Sequence, residues 1–371
     1  MRIPRTLKDL LSLPTAAFVE TAVLDYIVSA CRQLPGVSVR RDRYGNLLAH
    51  YRQHPRPARP LVFVAHTDHP GFVALDMPDA HTVRAAFRGG VRPEYFTDAS
   101  VRFWTNGGWV RGRVVEVTSA APPLASPPTV HRPEEVLVRV RAPVTPNAPG
   151  MWDLPDPALR GDLLSARGCD DVAGAAAMLE LLTRLSRRSP RAGTGAVYCL
   201  FTRAEEVGFI GALAAIKART VPKRLPVISI ETSPALPNAP IGGGPILRVG
   251  DRVSVFTPAL VAFCERVARD LAQHRKSFVF QRRLMDGGTC EATPFLAHGY
   301  EAAGICVALG NYHNMDASRR RIGSEYISLA DWQRMVDWFE ALVLDERGYD
   351  ADHAALRDSL AKRFAQWERL L

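Results

Sequence analysis

Four short apolar runs, at 61–65, 196–201, 227–230 and 305–309, each lead within four residues to a histidine or an acid. Runs of this length between turn formers read as strands buried on both faces, which belong to a parallel sheet covered by helices. His66 and Asp68 follow the first run, Glu205 and Glu206 the second, Glu231 the third and His313 the fourth. An ionised group next to a buried strand needs a cation or a hydrogen-bond partner. The repetition therefore points to strands whose ends meet at one sheet edge and share such a partner.

Segments of helical period separate the runs. The spacing predicts helices over 16–34, over 172–185 with an alanine-rich start, and over 208–217 burying Phe209, Leu213 and Ile216. Thr257-Pro258 has the form of an N-cap with proline at the first helical position, and Leu260, Cys264, Val267 and Leu271 follow on one face. Ser328 and Asp331 form a capping-box variant ahead of Trp332, Met335, Val336, Phe339, Leu342 and Val343. A hairpin is expected from 37–41 and 46–51 around Tyr44-Gly45-Asn46. The expected fold class is α/β, an αβα sandwich with a mostly parallel sheet.

Between about 70 and 162 the pattern changes to short alternating runs broken by glycine and proline, the mark of an inserted, small all-β domain. The expected division is 1–70 with 163–371 as the main unit and 71–162 as a barrel-like or PDZ-like insertion. Its proline-rich stretches, 121–128 and 143–157, read as loops. Leu356, Leu360, Phe364, Trp367 and Leu371 repeat as an amphipathic helix expected to pack back on the body.

At 371 residues and 47% hydrophobic, the chain can bury a large core. No apolar stretch approaches the roughly 20 residues that span a bilayer, and the N-terminus lacks a signal-like segment, so a cytoplasmic address without a membrane partner is expected. The six cysteines include no CxxC pair and read as reduced, packing as small hydrophobes. The net charge of +9 is spread along the chain without aromatic interleaving, which argues for a solvated face rather than nucleic-acid binding.

The acids and histidines supply the parts of a two-metal hydrolase site: a bridging carboxylate, terminal His and carboxylate ligands, and a free carboxylate as base. His66 is a terminal ligand candidate. Asp68, two residues on, faces the same way and is expected to accept the other imidazole N–H. Asp170 is assigned as the bridging ligand and Asp171 to a structural role behind it, although either acid could instead cap the helix that follows. Glu205 is the expected general base and Glu206 a ligand of the second metal, against the alternative of an acidic first helical turn. Glu231 and His313 complete the set, while His69 and His298 stand off the strand ends.

These residues resemble the M42 aminopeptidases, co-catalytic zinc or cobalt enzymes of the wider M18/M20/M28/M42 metallopeptidase group. The resemblance runs from about residue 42 to 343. Asp42-Arg-Tyr-Gly-Asn46 is similar to the family's Asp-x-x-Gly-Asn turn, and His66-Thr-Asp-His-Pro-Gly-Phe72 to its His-x-Asp-x-x-Gly-Phe. Glu205-Glu-Val-Gly208 is similar to Glu-Glu-Val-Gly, and Gly287-Gly-Thr289 to the Gly-Gly-Thr segment near the substrate site. Three places depart: Asp170-Asp171-Val172 for Asp-Asp-Arg, Glu231 for a strand-end Asp, and Asn-Met-Asp after His313 for Ser-Pro-x-Glu.

The resemblance implies that His66, Asp170, and Glu206 or Glu231 bind one or other of two divalent ions, zinc with cobalt or manganese as substitutes. Asp170 is then shared, His313 completes the set and Glu205 shuttles the proton. It also implies an αβα catalytic domain, an inserted β domain, a peptide or small amide substrate, and a homo-oligomer. An M20-like amidohydrolase of N-acyl amino acids is the alternative enzyme, and a scaffold that lost the chemistry the alternative from another class.

Overall fold

The computed structural model describes residues 2–52, 59–121, 132–188 and 195–371. The four apolar runs become β3 (Leu61–His66), β12 (Ala196–Thr202), β13 (Val227–Pro234) and β16 (Ala302–Gly310). They are neighbours in the order β12-β3-β13-β16, and every pair among them is parallel. Both faces of β3 and β16 are buried along their whole length, which is why no alternation of polar residues appears in them.

The flanks of this parallel centre are antiparallel. On one side stand β2 (Leu47–Arg52) and β1 (Val37–Arg41), the hairpin read from Tyr44-Gly45-Asn46. On the other, β16 pairs with β19 (Glu325–Ser328), β19 with β11 (Leu163–Ala166), and β11 with β10 (Ala158–Arg160). A branch of β14 (Ile246–Asp251) and β15 (Gln281–Met285) joins at β16, giving eleven strands in one sheet.

Helices α1 (Arg5–Ser12), α2 (Thr21–Arg32), α3 (Val172–Ser186), α5 (Pro258–His274), α7 (Leu329–Leu344) and α8 (Gly348–Trp367) form one connected layer, with α3 against β3 and β13. The pair α4 (Ile210–Ala218) and α6 (Ala292–Ala297) packs together against β12, β13 and β16, completing the expected αβα arrangement. Gly174 in the first turn of α3 leaves room for the Asp171 carboxylate lying against it, with which a side chain there would collide.

Strands β4 (Gly71–Asp79), β5 (Thr82–Arg88), β6 (Ser100–Thr105), β7 (Gly108–Ala121), β8 (Arg132–Val140) and β9 (Pro149–Trp152) close a small barrel in the order β4-β5-β8-β7-β6-β9. Phe72, Phe87, Phe96 and Trp152 meet edge-on or tilted at its centre, with Phe103 against Phe72. The barrel thus has a core of its own, into which Met315 and Ile322 of a two-stranded ribbon, β17 (Met315–Asp316) and β18 (Arg321–Ile322), also pack.

Several expectations are corrected. The helix expected over 16–34 is only α2; Thr15, Ala16 and Ala17 are buried in the chain leading to it, and α1 precedes them. In α4 the buried residues are Gly211, Ala212 and Ala215 while Leu213 is exposed, because the helix begins after a left-handed Phe209 that rotates its face. The stretch 143–157 contains β9, whose carbonyl and N–H groups pair with β4 and β6, and most of 121–128 lies outside the described residues. Ser328 Oγ accepts from Asp331 N at 3.0 Å, but the Asp331 carboxylate turns away to Gly242 N and Gly244 N, so only half the capping box forms. The C-terminal helix does not pack back: Leu360, Phe364, Trp367 and Leu371 are all exposed, whereas Tyr349 at its start is buried and donates to Glu301. The Leu356 side chain lies outside the described residues.

The six cysteines are buried and unpaired, as expected of reduced thiols. Among the described residues no helix is long and apolar enough to cross a membrane.

Candidate metal centre

His66 is the last residue of β3 and is buried, pairing across to Thr202. Its Nδ1 lies 3.1 Å from the main-chain carbonyl of Asp68, which turns Nε2 into the cleft. The Asp68 carboxylate was expected to hold this ring. It stands 3.6 Å from Nδ1 and instead accepts from the backbone N–H groups of Glu205 and Glu206, at 3.0 and 3.1 Å. The ring and the two glutamates are thereby tied to one residue.

Asp170 faces both imidazoles. Its Oδ1 is 3.5 Å from His66 Nε2 and its Oδ2 is 3.7 Å from His313 Nε2. Glu231 Oε2 is 4.0 Å from His66 Nε2, and Glu206 Oε2 is 3.2 Å from His313 Nε2. Two sets of potential ligand atoms result, His66–Asp170–Glu231 and Asp170–Glu206–His313, with Asp170 common to both; a third, His66–Glu205–Glu206, overlaps them. Glu231 does not end its strand, as the sequence suggested, but sits within β13, because β16 continues alongside it to Gly310. Glu205 and Glu206 lie in a turn ahead of α4, closed by Gly208 N and Phe209 N on the Glu205 carbonyl, rather than in the first turn of a helix. Asp171 precedes α3 without capping it through its side chain.

The five candidate ligands are nearly fully buried. Burial, with Asp170 and Glu205 beside it, pushes the Glu206 carboxyl well above its usual range; burial and Asp170 do the same to Glu231. Burial also raises Glu205 to about 8. For His66 burial alone would lower the pKa, yet the carboxylates of Glu205, Asp170 and Asp68 outweigh it and raise the ring well above its ordinary value. Packing this many acids together costs free energy unless cations are shared among them.

The donor set fits divalent metal. Glu206 Oε1 and Glu231 Oε1 are buried without a hydrogen-bond partner among the described residues, although the other oxygen of each faces an imidazole. Nitrogen and carboxylate donors of this kind suit zinc, with cobalt or manganese as substitutes. His69 is occupied elsewhere: Nδ1 contacts the Asp170 carbonyl at 2.6 Å and Nε2 the Asn314 Oδ1 at 2.9 Å. His298 Nδ1 faces the Pro294 carbonyl.

The site opens into a cleft of about 500 Å³, within the range of small-ligand pockets. Its walls include Phe209, Met285, Tyr312 and the Gly287–Thr289 segment, and the buried guanidinium of Arg248, whose Nη1 donates to Ser233 Oγ at 3.0 Å. Sequence reasoning missed Tyr312, which stacks on His313 at 3.7 Å between ring centroids, and Glu20, whose buried carboxylate accepts from Ala204 N next to Glu205. It also missed Glu325, Asn314 and Arg248. Each is a polar residue whose partners lie on other elements of the fold, so no local pattern marks it.

A parallel-centred αβα sheet thus brings these acids and histidines together in one cleft, with a small barrel attached. Residues 144–321 match the model of the M42 glutamyl aminopeptidase family, in agreement with the resemblance read from the motifs. Among solved structures, TET1 peptidase of Pyrococcus horikoshii superposes with a TM-score of 0.73 at 19% identity, covering 92% of this chain and 98% of its own. An aminopeptidase from the archaeon Desulfurococcus kamchatkensis gives 0.74 at 21% identity, with 94% and 96% covered. An M18-family aminopeptidase of Thermotoga maritima gives 0.63 at 16% identity, with 91% and 94% covered. At these identities the superpositions establish the fold. No curated protein matches the chain by sequence.

Proposed function

We propose that the chain is a metal-dependent aminopeptidase that holds two divalent ions, zinc by preference, and removes N-terminal residues from peptides. One observation carries this reading: the two oxygens of Asp170 face different imidazoles, and each side is completed by an acid with an unpartnered buried oxygen. In the proposed assignment His66, Asp170 and Glu231 hold one ion, and Asp170, Glu206 and His313 the other. Bound cations supply Lewis acidity toward the scissile carbonyl and toward water.

The chain's own groups do the rest. Glu205, with Oε2 4.0 Å from His66 Nε2, takes a proton from the attacking water and returns it to the leaving amine nitrogen. Asp68 acts behind it, fixing the turn that carries Glu205 and Glu206 and, through its carbonyl, the tautomer of His66.

Residues 1–70 and 163–371 form the catalytic unit in this reading, and 71–162, which include the barrel, the insertion. Self-association follows the solved neighbours, one a dodecamer and another able to form a tetrahedron or an octahedral shell; light scattering of the purified protein measures it. Six buried free thiols support a reducing, cytoplasmic address.

The test is turnover on paired free-amine and N-acylated dipeptides, before and after chelation. Cleavage restricted to the free-amine series, lost with chelator and restored by zinc, is the expected result. Preference for the N-acylated series would replace the aminopeptidase with an amidohydrolase, and chelator-resistant turnover would remove the metals.

A further inference from the structure

We infer that Glu325 is a positioning residue that sets the separation of Asp170 and His313 by clamping the backbone of both. The inference rests on the two-ion reading above.

Glu325 opens β19 and is fully buried. Its Oε2 accepts from Cys169 N at 2.6 Å and Asp170 N at 3.1 Å, and its Oε1 accepts from His313 N at 2.8 Å. One carboxylate therefore binds the backbone of both segments, beside the links that Asn314 makes to the Arg167 carbonyl and that His69 makes between the Asp170 carbonyl and Asn314 Oδ1. Its own base is anchored: β19 pairs with β11 on one side, Glu325 opposite Ala166, and with β16 on the other, Tyr326 opposite Gly310. Those are the strands that lead into Asp170 and His313. Glu325 thus hangs from the strand between them and closes the gap beyond their ends.

The clamp acts where the backbone is least able to hold itself. Asn311, His313 and Asn314 all adopt left-handed conformations, with φ of 54°, 53° and 64°. Such residues persist only when surrounding bonds over-determine them. Charge-assisted bonds from backbone N–H groups to a buried carboxylate are of the strong kind.

A glutamine at this position keeps the volume but offers a single oxygen, and its NH2 group would face an N–H that needs an acceptor. Glu325→Gln should therefore bind zinc about 10- to 100-fold more weakly, in the range seen when outer partners of metal ligands are changed. Competition against a chromogenic chelator reads this directly. Turnover at limiting zinc should fall through kcat, with KM little changed, and excess zinc should restore part of it. A role confined to stability would lower the melting temperature of metal-free and loaded protein alike while leaving zinc affinity untouched.

Glu325→Asp provides the second reading, since it keeps the charge but shortens the arm, and it too should weaken zinc binding. A folded Gln or Asp variant that holds both ions with wild-type affinity overturns the proposal. So does failure of both variants to fold, which would assign Glu325 to the fold alone. Wild-type protein that binds no zinc would instead sink the metal-site reading, whatever residue 325 does.

Discussion

The two sides of Asp170 are built differently. On one side His66 and Glu231 project from β3 and β13, adjacent strands of the parallel centre, and their backbones are fixed by the hydrogen bonds of the sheet. On the other, His313 sits in a loop of left-handed residues after β16, and its geometry depends on side-chain acceptors and on the barrel, since His313 Nδ1 contacts the Gly90 carbonyl at 2.9 Å. The sheet positions a ligand through main-chain bonds that any sequence can make. The loop needs particular side chains, Glu325 and Asn314 among them, to do the same work.

The most direct way to break this comparison is at the residue both sides share. Asp170→Ala should leave elemental analysis with almost no bound metal and no measurable turnover; retention of two ions per chain would show that the sides do not depend on it. Next in size, Glu205→Gln should keep the metal content and lower kcat by about 10² to 10⁴, which separates proton transfer from ligation. Near-wild-type kcat in that variant would move the base elsewhere.

The loop side alone is probed by Asn314→Ala. The Asn314 amide donates to the Arg167 and Gly323 carbonyls at 2.6 and 3.1 Å, and its oxygen meets His69. Denaturant unfolding should record a loss of about 1–3 kcal/mol from the acceptors left buried and unpaired, with weaker metal retention. An unchanged midpoint would mean that the loop holds itself.

A smaller effect is expected with pH. The Glu205 carboxyl is raised by burial to about 8, against about 4.3 in an unfolded chain. Between those values the folded state keeps a proton that the unfolded state releases. The group's contribution to stability in metal-free protein is therefore intact below about pH 4 and is lost as pH climbs toward about 8. Melting temperatures of chelated protein should fall over that window, and zinc should flatten the trend. A rise with pH in the chelated protein would contradict the assignment.

The smallest effect is expected at the far end of α8, where removal of 357–371 should leave turnover and melting unchanged because every residue there is exposed. Sedimentation of the truncated protein reports whether that apolar face contributes to association.

Much of the parallel centre was legible because burial writes itself locally: an apolar run covered on both faces shows no alternation, and 61–65 and 305–309 needed no partner to be recognised. His66, Glu206, Glu231 and His313 were legible for the same reason, each being a polar residue close to such a run, whereas Asp170 was read from the acids ahead of α3. The exposed apolar face of α8 was not, because periodicity reports that a face exists and not what covers it. The Asp68 carboxylate was misdirected because two-residue spacing gives the direction of a side chain but not the nearer donors, here Glu205 N and Glu206 N, that arrive from another part of the chain.

By itself the sequence determined the four buried strands of the parallel centre and the acids and histidines that accompany them, since the cost of an unpaired buried charge follows from local burial. Only the tertiary structure decided which acid faces which imidazole and that Glu325 bridges segments some 140 residues apart along the chain. Those outcomes depend on distances between elements, which sheet order and register fix and which no stretch of sequence contains.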